Sequence, residues 1–216
     1  MTATTGLPRL LGARLIMVVR APSATDAIAA VEAARCGGVD VIEVTFTTPH
    51  ATDVIRELGA YDDLMVGAGT VLSVDQAQAA IAAGARFVVS PGLDADLLRW
   101  APADVPVVPG VLSPSEVMLA TEAGTPAVKL FPAQSVGPAH LRALLAPFPD
   151  LQVIPTGGVD ADSAADWLDA GAAAVGIGGA LSPNSAVTND VAASVTAEAA
   201  RAVAAVRPYR NTPSRR

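Results

Sequence analysis

The chain has one lysine, one cysteine, two histidines and two tryptophans among its 216 residues. Each scarcity excludes something. A single cysteine, Cys36, cannot form a disulfide within the chain, as expected of a protein kept in a reducing compartment. With only His50 and His140 beside it, no His/Cys set for a metal centre can be assembled. The expectation is therefore no metal and no cofactor, although a magnesium ion held by carboxylates remains open. Charged residues make up only 16% and hydrophobic ones 51%, which excludes an intrinsically disordered chain. No apolar run approaches the ~18 residues of a spanning helix, because Gly, Pro and Asp interrupt each one. No membrane association is expected. Residues 1–14 lack the basic-then-apolar pattern of a secretory leader, so the expected location is cytoplasmic. A net charge of −7 argues against a nucleic-acid partner.

The basic residues are thirteen arginines and one lysine, Lys129. That lysine sits inside an apolar run, Ala127-Val-Lys-Leu-Phe131, where a surface lysine is out of place.

Eight short, nearly continuous apolar runs recur along the chain: residues 15–19, 39–45, 64–67, 86–90, 105–109, 127–131, 151–155 and 173–177. Such runs suit strands buried on both faces of a parallel sheet. Between them lie Ala-rich helical segments with capping chemistry. Ser73 with Gln76, and Ser113 with Pro114 and Glu116, mark helix starts. Glycines at 37/38, 84, 124 and 171 mark helix ends. Asp160 and Asp162 read as capping or first-turn residues, and Trp100 and Trp167 as packing residues. Repeated strand–helix alternation without a linker predicts one α/β domain over 1–207, a (β/α)8 TIM barrel with a short N-terminal helix within 1–12. A doubly wound open sheet is the competing architecture. Residues 208–216 are expected to form a flexible tail.

In such barrels the site lies at the carboxyl ends of the strands. Those ends carry Arg20, Glu43/Thr45, Gly69/Thr70, Ser90/Pro91, Pro109/Gly110, Lys129/Phe131, Thr156/Gly157/Gly158 and Gly178/Gly179. Two of these residues, Glu43 and Lys129, place charges in apolar strands, and burying either requires a partner or a function. One reading is an ion pair that only fixes strand register. The other is nucleophilic catalysis. Burial disfavours an ammonium relative to the neutral amine, which can attack a carbonyl. A neighbouring carboxylate opposes that effect, yet it can shuttle the protons that carbinolamine formation and dehydration require. Pro155-Thr-Gly-Gly158 and Gly176-Ile-Gly-Gly179, after the last two strands, offer backbone N–H groups at helix N-termini as an anion site.

Taken in order, Ile42-Glu-Val-Thr45, Gly67-Ala-Gly-Thr-Val71, Ser90-Pro-Gly92, Pro109-Gly-Val111, Lys129-Leu-Phe-Pro-Ala133, Pro155-Thr-Gly-Gly158 and Gly176-Ile-Gly-Gly179 resemble the KDPG/KHG aldolase family over residues 15–182. The resemblance implies a metal-free class I aldolase, typically a homotrimer. Its substrate would be a keto-acid sugar phosphate, 2-keto-3-deoxy-6-phosphogluconate, cleaved to pyruvate and glyceraldehyde 3-phosphate in the Entner-Doudoroff pathway. It matches Lys129 to the Schiff-base lysine and Glu43 to the general acid/base. Thr70, Pro91 and Phe131 match residues around the pyruvate moiety. Gly157, Gly158, Gly178 and Gly179 match the phosphate end, and Arg20 a basic position after the first strand.

Two positions depart from the family pattern. Many members carry a basic residue for the pyruvate carboxylate where this chain has Thr47, counted here among the substrate-binding positions, and a serine for phosphate where it has Ala180. An unphosphorylated sugar acid or 4-hydroxy-2-oxoglutarate therefore stays open as substrate. So do two different kinds of protein, a sugar-phosphate epimerase-type barrel and a non-catalytic barrel that binds keto acids.

Overall fold

The computed structural model describes residues 6–210. Its strands are β1 Leu15–Val19, β2 Val41–Thr45, β3 Met65–Gly69, β4 Val88–Val89, β5 Val107–Val108, β6 Gly110–Val111, β7 Val128–Leu130, β8 Val153–Pro155 and β9 Val175–Ile177. Its α-helices are α1 Leu7–Gly12, α2 Ala24–Cys36, α3 Ala51–Leu58, α4 Val74–Ala82, α5 Ala95–Trp100, α6 Pro114–Glu122, α7 Gly137–Leu145, α8 Ala164–Asp169 and α9 Asn189–Val206. Neighbouring strands pair in parallel, in the orders β5-β4-β3-β2-β1-β9 and β6-β7-β8. A Thr156–Gly176 bridge links the end of β8 to β9. The result is an α/β fold on a curled parallel sheet.

The period of two along each strand sorts the side chains onto two faces. Leu15, Met17, Ile42, Val44, Val66, Val128 and Leu130 pack outward with the helices. Their neighbours Ile16, Val41, Met65, Phe87, Val108, Ala127 and Ile154 form a second, inner cluster. Leu10 and Leu11 of α1, joined by Leu7, pack into that inner cluster. The helix expected within 1–12 is thus seated at the amino ends of the strands, although residues 1–5 lie outside the described region. By the same alternation Glu43 follows Val41, and Lys129 follows Ala127, onto the inner face at the carboxyl ends. Sheet geometry alone puts both charges on one side.

Several expectations need adjustment. The run at 105–109 holds only β5; Pro109, which has no N–H for the ladder, interrupts the pairing, and β6 follows beyond the run. Pairing resumes at Gly110, opposite Lys129. The third strand extends past Gly67 to Gly69, because Gly69 pairs with Thr45 of β2. Within the span expected as a tail, residues 208–210 make contacts with the rest of the chain. Arg207–Tyr209 forms a 3-10 turn, Tyr209 donates to Asp169 at 2.7 Å, and Arg210 Nε donates to the Ala13 carbonyl at 3.1 Å. Residues 211–216 lie outside the described region.

Local chemistry explains the helix starts. Ser73 accepts from the Gln76 amide, and Ser113 with Glu116 forms a complete capping box. Two further caps, Ser23 on α2 and Asp94 on α5, work the same way. Trp167 is buried and Trp100 packs against the core from a half-buried position. Buried Arg14 donates to the carbonyls of Ala173 and Tyr209, at 2.6 and 3.0 Å, and so ties β9 and the carboxyl end to the start of β1. Among the described residues no helix is long and apolar enough to cross a membrane.

Candidate active site

Lys129 on β7 and Glu43 on β2 meet although 86 positions separate them. Lys129 Nζ donates to Glu43 Oε1 at 3.1 Å, with the two side chains 7% and 3% exposed. The ammonium also lies 5.3 Å from the centre of the Phe131 ring, within cation–π range. The carboxylate has room only because residue 69 has no side chain: a Cβ there would overlap the Glu43 carboxyl group.

Lys129 opens onto a cavity of about 620 Å³ at the carboxyl ends of the strands. Arg20, Thr47, Thr70, Pro91, Phe131, Gly157, Gly158, Gly178 and Gly179, all singled out from the sequence, line that cavity with it. Glu43 is reached from the cavity through its contact with Lys129.

At the glycine end the expected geometry is only partly met. α8 begins at Ala164, well beyond Gly158, so the amides after β8 belong to a turn and not to a helix N-terminus. Those after β9 open a short 3-10 turn, Gly179–Leu181. The N–H groups of Gly158, Gly179 and Ala180 find no backbone acceptor among the described residues. Gly158 has φ +75°, and a Cβ there would run into the Gln134 side chain. The turn that presents its amide therefore requires glycine.

Three lining residues carry no signal in the sequence: Ser182, Asn184 and Glu198. Ser182 accepts from the Arg20 amide at 2.8 Å and donates to the Arg20 carbonyl at 3.0 Å. Its single proton is thereby engaged, so it cannot replace the hydroxyl absent at Ala180. Glu198 reaches the rim from α9 and is held by Arg201 at 2.6 Å. These contacts join distant parts of the chain and leave no local signature. Asp160 both lines the cavity and caps the turn before α8, accepting from Ser163 N at 2.8 Å and Ser163 Oγ at 2.6 Å. Those bonds, the hydroxyl's first, hold its carboxyl below the ordinary range. Among the described residues no group of three or more His, Cys, Asp or Glu is placed to hold a metal ion.

A shielded lysine–carboxylate pair on an α/β scaffold, facing a cavity with glycine-turn amides at one end, has the arrangement of an enzyme that works through an amine. Residues 8–198 match the family model described as KDPG and KHG aldolase. A 2-dehydro-3-deoxy-phosphogluconate aldolase from Pseudomonas aeruginosa is 44% identical over 159 residues, covering 72% of each chain. The 2-keto-3-deoxy-6-phosphogluconate aldolase of Zymomonas mobilis, solved with 3-phosphoglycerate, superposes with a TM-score of 0.83 at 33% identity, covering 94% of this chain and 97% of that one. The KDPG aldolase from Legionella pneumophila, solved with pyruvate captured as a covalent carbinolamine, gives 0.79 at 33% identity, covering 89% and 96%. The chain belongs to the KDPG and KHG aldolase family.

Proposed function

We propose that this aldolase cleaves 2-keto-3-deoxy-6-phosphogluconate, or a close 2-keto-3-deoxy acid, to pyruvate and an aldehyde through an imine on Lys129. The observation that carries the reading is the 3.1 Å contact between the only lysine and a buried carboxylate. Glu43 is placed to take a proton from the ammonium and so release the neutral amine. Lys129 Nζ then adds to the C2 ketone. Glu43 returns the proton to the carbinolamine hydroxyl, which leaves as water and gives the iminium. The C3–C4 bond breaks with its electron pair drawn into the iminium, while a base takes the C4 hydroxyl proton and the aldehyde departs. Protonation of the enamine at C3 and hydrolysis release pyruvate and free the lysine. Thr70 and Arg20 are assigned to the carboxylate. Pro91 and Phe131 wall the pyruvate end, Thr47 stands at the β2 side, and the amides around Gly157, Gly158, Gly178 and Gly179 receive the phosphate.

Three further readings accompany this one. The strands close as a complete (β/α)8 barrel, with β5 and β6 continuing one another through Pro109 and the Thr156–Gly176 bridge spanning β8 and β9. Leu72, Met118 and Leu119, exposed at 59%, 62% and 53%, supply the apolar surface of the homotrimer that the family resemblance implies. A cytoplasmic location agrees with the single exposed cysteine.

The test is pyruvate release from a panel of the phosphorylated acid, its unphosphorylated counterpart and 4-hydroxy-2-oxoglutarate, with and without EDTA. It is paired with borohydride trapping of pyruvate on Lys129. Trapping at Lys129, with cleavage indifferent to EDTA, is expected. Metal-dependent turnover without trapping would favour an epimerase-type site, and trapping without cleavage a keto-acid-binding barrel.

A further inference from the structure

Two threonines of the cavity offer hydroxyls of opposite polarity. The difference begins at a third, Thr45, whose Oγ1 is fully buried and lies 2.8 Å from the Val19 carbonyl oxygen, a group that can only accept. A hydroxyl has one proton, so Thr45 donates it to Val19. Thr47 Oγ1 lies 2.8 Å from Thr45 Oγ1. With the Thr45 proton engaged, Thr47 is the donor of that bond. Thr48 runs the same way, donating to Val19 O at 3.5 Å and accepting from Ala21 N at 3.3 Å. The carbonyl at the inner end thus fixes the direction of the whole chain of hydroxyls. It reaches the cavity at Thr47 as an oxygen with lone pairs and no proton to give. Thr70, which follows β3, differs: among the described residues its hydroxyl has no protein partner, so its proton is available.

We propose that Thr47 is a specificity-determining acceptor, receiving a hydrogen bond from a substrate hydroxyl and rejecting a carboxylate oxygen at that point. The proposal rests on the aldolase reading above and refines its substrate class. A carboxylate has only lone pairs to present and forms no bond with a donor-less oxygen. A hydroxyl extends the hydrogen-bonded chain by one link. A 2-keto-3-deoxy sugar acid and 4-hydroxy-2-oxoglutarate share the C4 hydroxyl and differ at C5, a hydroxyl in the first and a carboxylate in the second. An acceptor facing C5 selects the sugar acid, and the C1 carboxylate shared by both falls to Thr70.

Thr47→Val removes the acceptor while keeping the shape, at an exposed position where folding is not at stake. Measurement of KM for 2-keto-3-deoxy-6-phosphogluconate should show a rise of about fivefold to tenfold, the worth of one neutral hydrogen bond. The pyruvate concentration giving half-maximal borohydride trapping should move little. Thr70→Val should do the reverse, raising half-trapping by about tenfold or more through loss of a charge-assisted bond. Thr45→Val releases the Thr47 proton towards the cavity, so half-trapping should fall, and should recover when Thr47→Val is added. A rise in half-trapping for Thr47→Val equal to that for Thr70→Val makes Thr47 a carboxylate donor and overturns the proposal. An unchanged KM in Thr47→Val, or a higher kcat/KM for 4-hydroxy-2-oxoglutarate than for the sugar acid, overturns it too. Failure of the unsubstituted protein to trap pyruvate or cleave any of the acids is a separate result, which removes the aldolase reading itself.

Discussion

Lys129 Nζ and Glu43 Oε1 lie 3.1 Å apart at the carboxyl ends of β7 and β2, shielded from solvent on both sides. A buried pair of this kind adds little stability, because desolvation offsets most of the Coulomb attraction. In the proposed reaction it serves proton transfer to and from the amine nitrogen. Replacing Lys129 by Arg keeps a cation beside Glu43 but removes the nucleophile, since a guanidinium stays protonated. Borohydride with pyruvate should add one adduct to the unsubstituted protein, on the peptide containing Lys129, and none to Lys129→Arg.

Glu43→Gln keeps the volume and withdraws the exchangeable proton. Turnover should fall by ~10²–10⁴, the usual worth of a positioned acid/base. Circular dichroism should report an unchanged fold, which separates this loss from unfolding. Turnover close to that of the unsubstituted protein would reduce the pair to a register-fixing contact.

Two glycines on one strand separate stability from chemistry. A Cβ at Gly67 would lie 2.5 Å from the fully buried Phe87 ring, whereas a Cβ at Gly69 would overlap the Glu43 carboxyl group. Gly67→Ala overpacks the inner cluster and should lower stability by about 1–3 kcal/mol, read as an earlier urea midpoint. Gly69→Ala should instead displace Glu43 and lower kcat well beyond the effect of Gly67→Ala. Equal effects of the two substitutions on kcat would show that Gly69 does not set the carboxylate position.

Most of the frame is legible in the chain, for physical reasons that vary from element to element. β1 is legible to the residue because Leu15–Val19 is an uninterrupted apolar run ended by Arg20. β5 falls within the run at 105–109 but β6 lies beyond it, because the proline and glycine at 109 and 110 end the apolar pattern while the ladder resumes at Gly110. The Lys129–Glu43 pair stands out because a charge within an apolar strand is costly. Ser182 and Glu198 do not, since one acts through backbone atoms of Arg20 and the other reaches the cavity from the last helix. The expectation of helix N-termini at the anion end is met only in part, because the glycine motif after β8 identifies the turn but not where α8 starts. The polarity of Thr47 cannot be read from the sequence at all: it depends on the Val19 carbonyl on a different strand, relayed by Thr45.

The capping box on α6 predicts a pH dependence confined to acid. Ser113's hydroxyl, and then the amides of Leu112 and Ser113, hold the Glu116 carboxyl below its ordinary range. A carboxyl whose folded value is lowered contributes stability above its unfolded value, near pH ~4.3, and loses it as pH falls through the folded one. Glu116→Gln should therefore be less stable at neutral pH, by under about 1 kcal/mol for this partly exposed cap. The difference in urea midpoint should close as the pH drops below ~4. A difference that persists in acid would assign the effect to shape and not to charge.

The phosphate is where attraction and repulsion at the site must be weighed. The N–H groups of Gly158, Gly179 and Ala180 stand without backbone acceptors among the described residues, and Arg20 lines the same cavity. Against them stand two acids, Asp160 and Glu198. Glu198 is matched by Arg201 at 2.6 Å, and Asp160 turns its carboxylate to Ser163. Charge-assisted bonds to a dianion are each worth ~1.5–3 kcal/mol, so the amides outweigh a screened residual repulsion. Ala180 withholds one hydroxyl, a loss of about tenfold in binding at ~1.4 kcal/mol. The balance favours a dianion at that end. The kcat/KM should be higher for the 6-phosphorylated acid than for its unphosphorylated counterpart, and Ala180→Ser should widen the gap by no more than about tenfold. Equal or reversed preference in a side-by-side assay would remove the phosphate from the site and leave a plain sugar acid as the substrate.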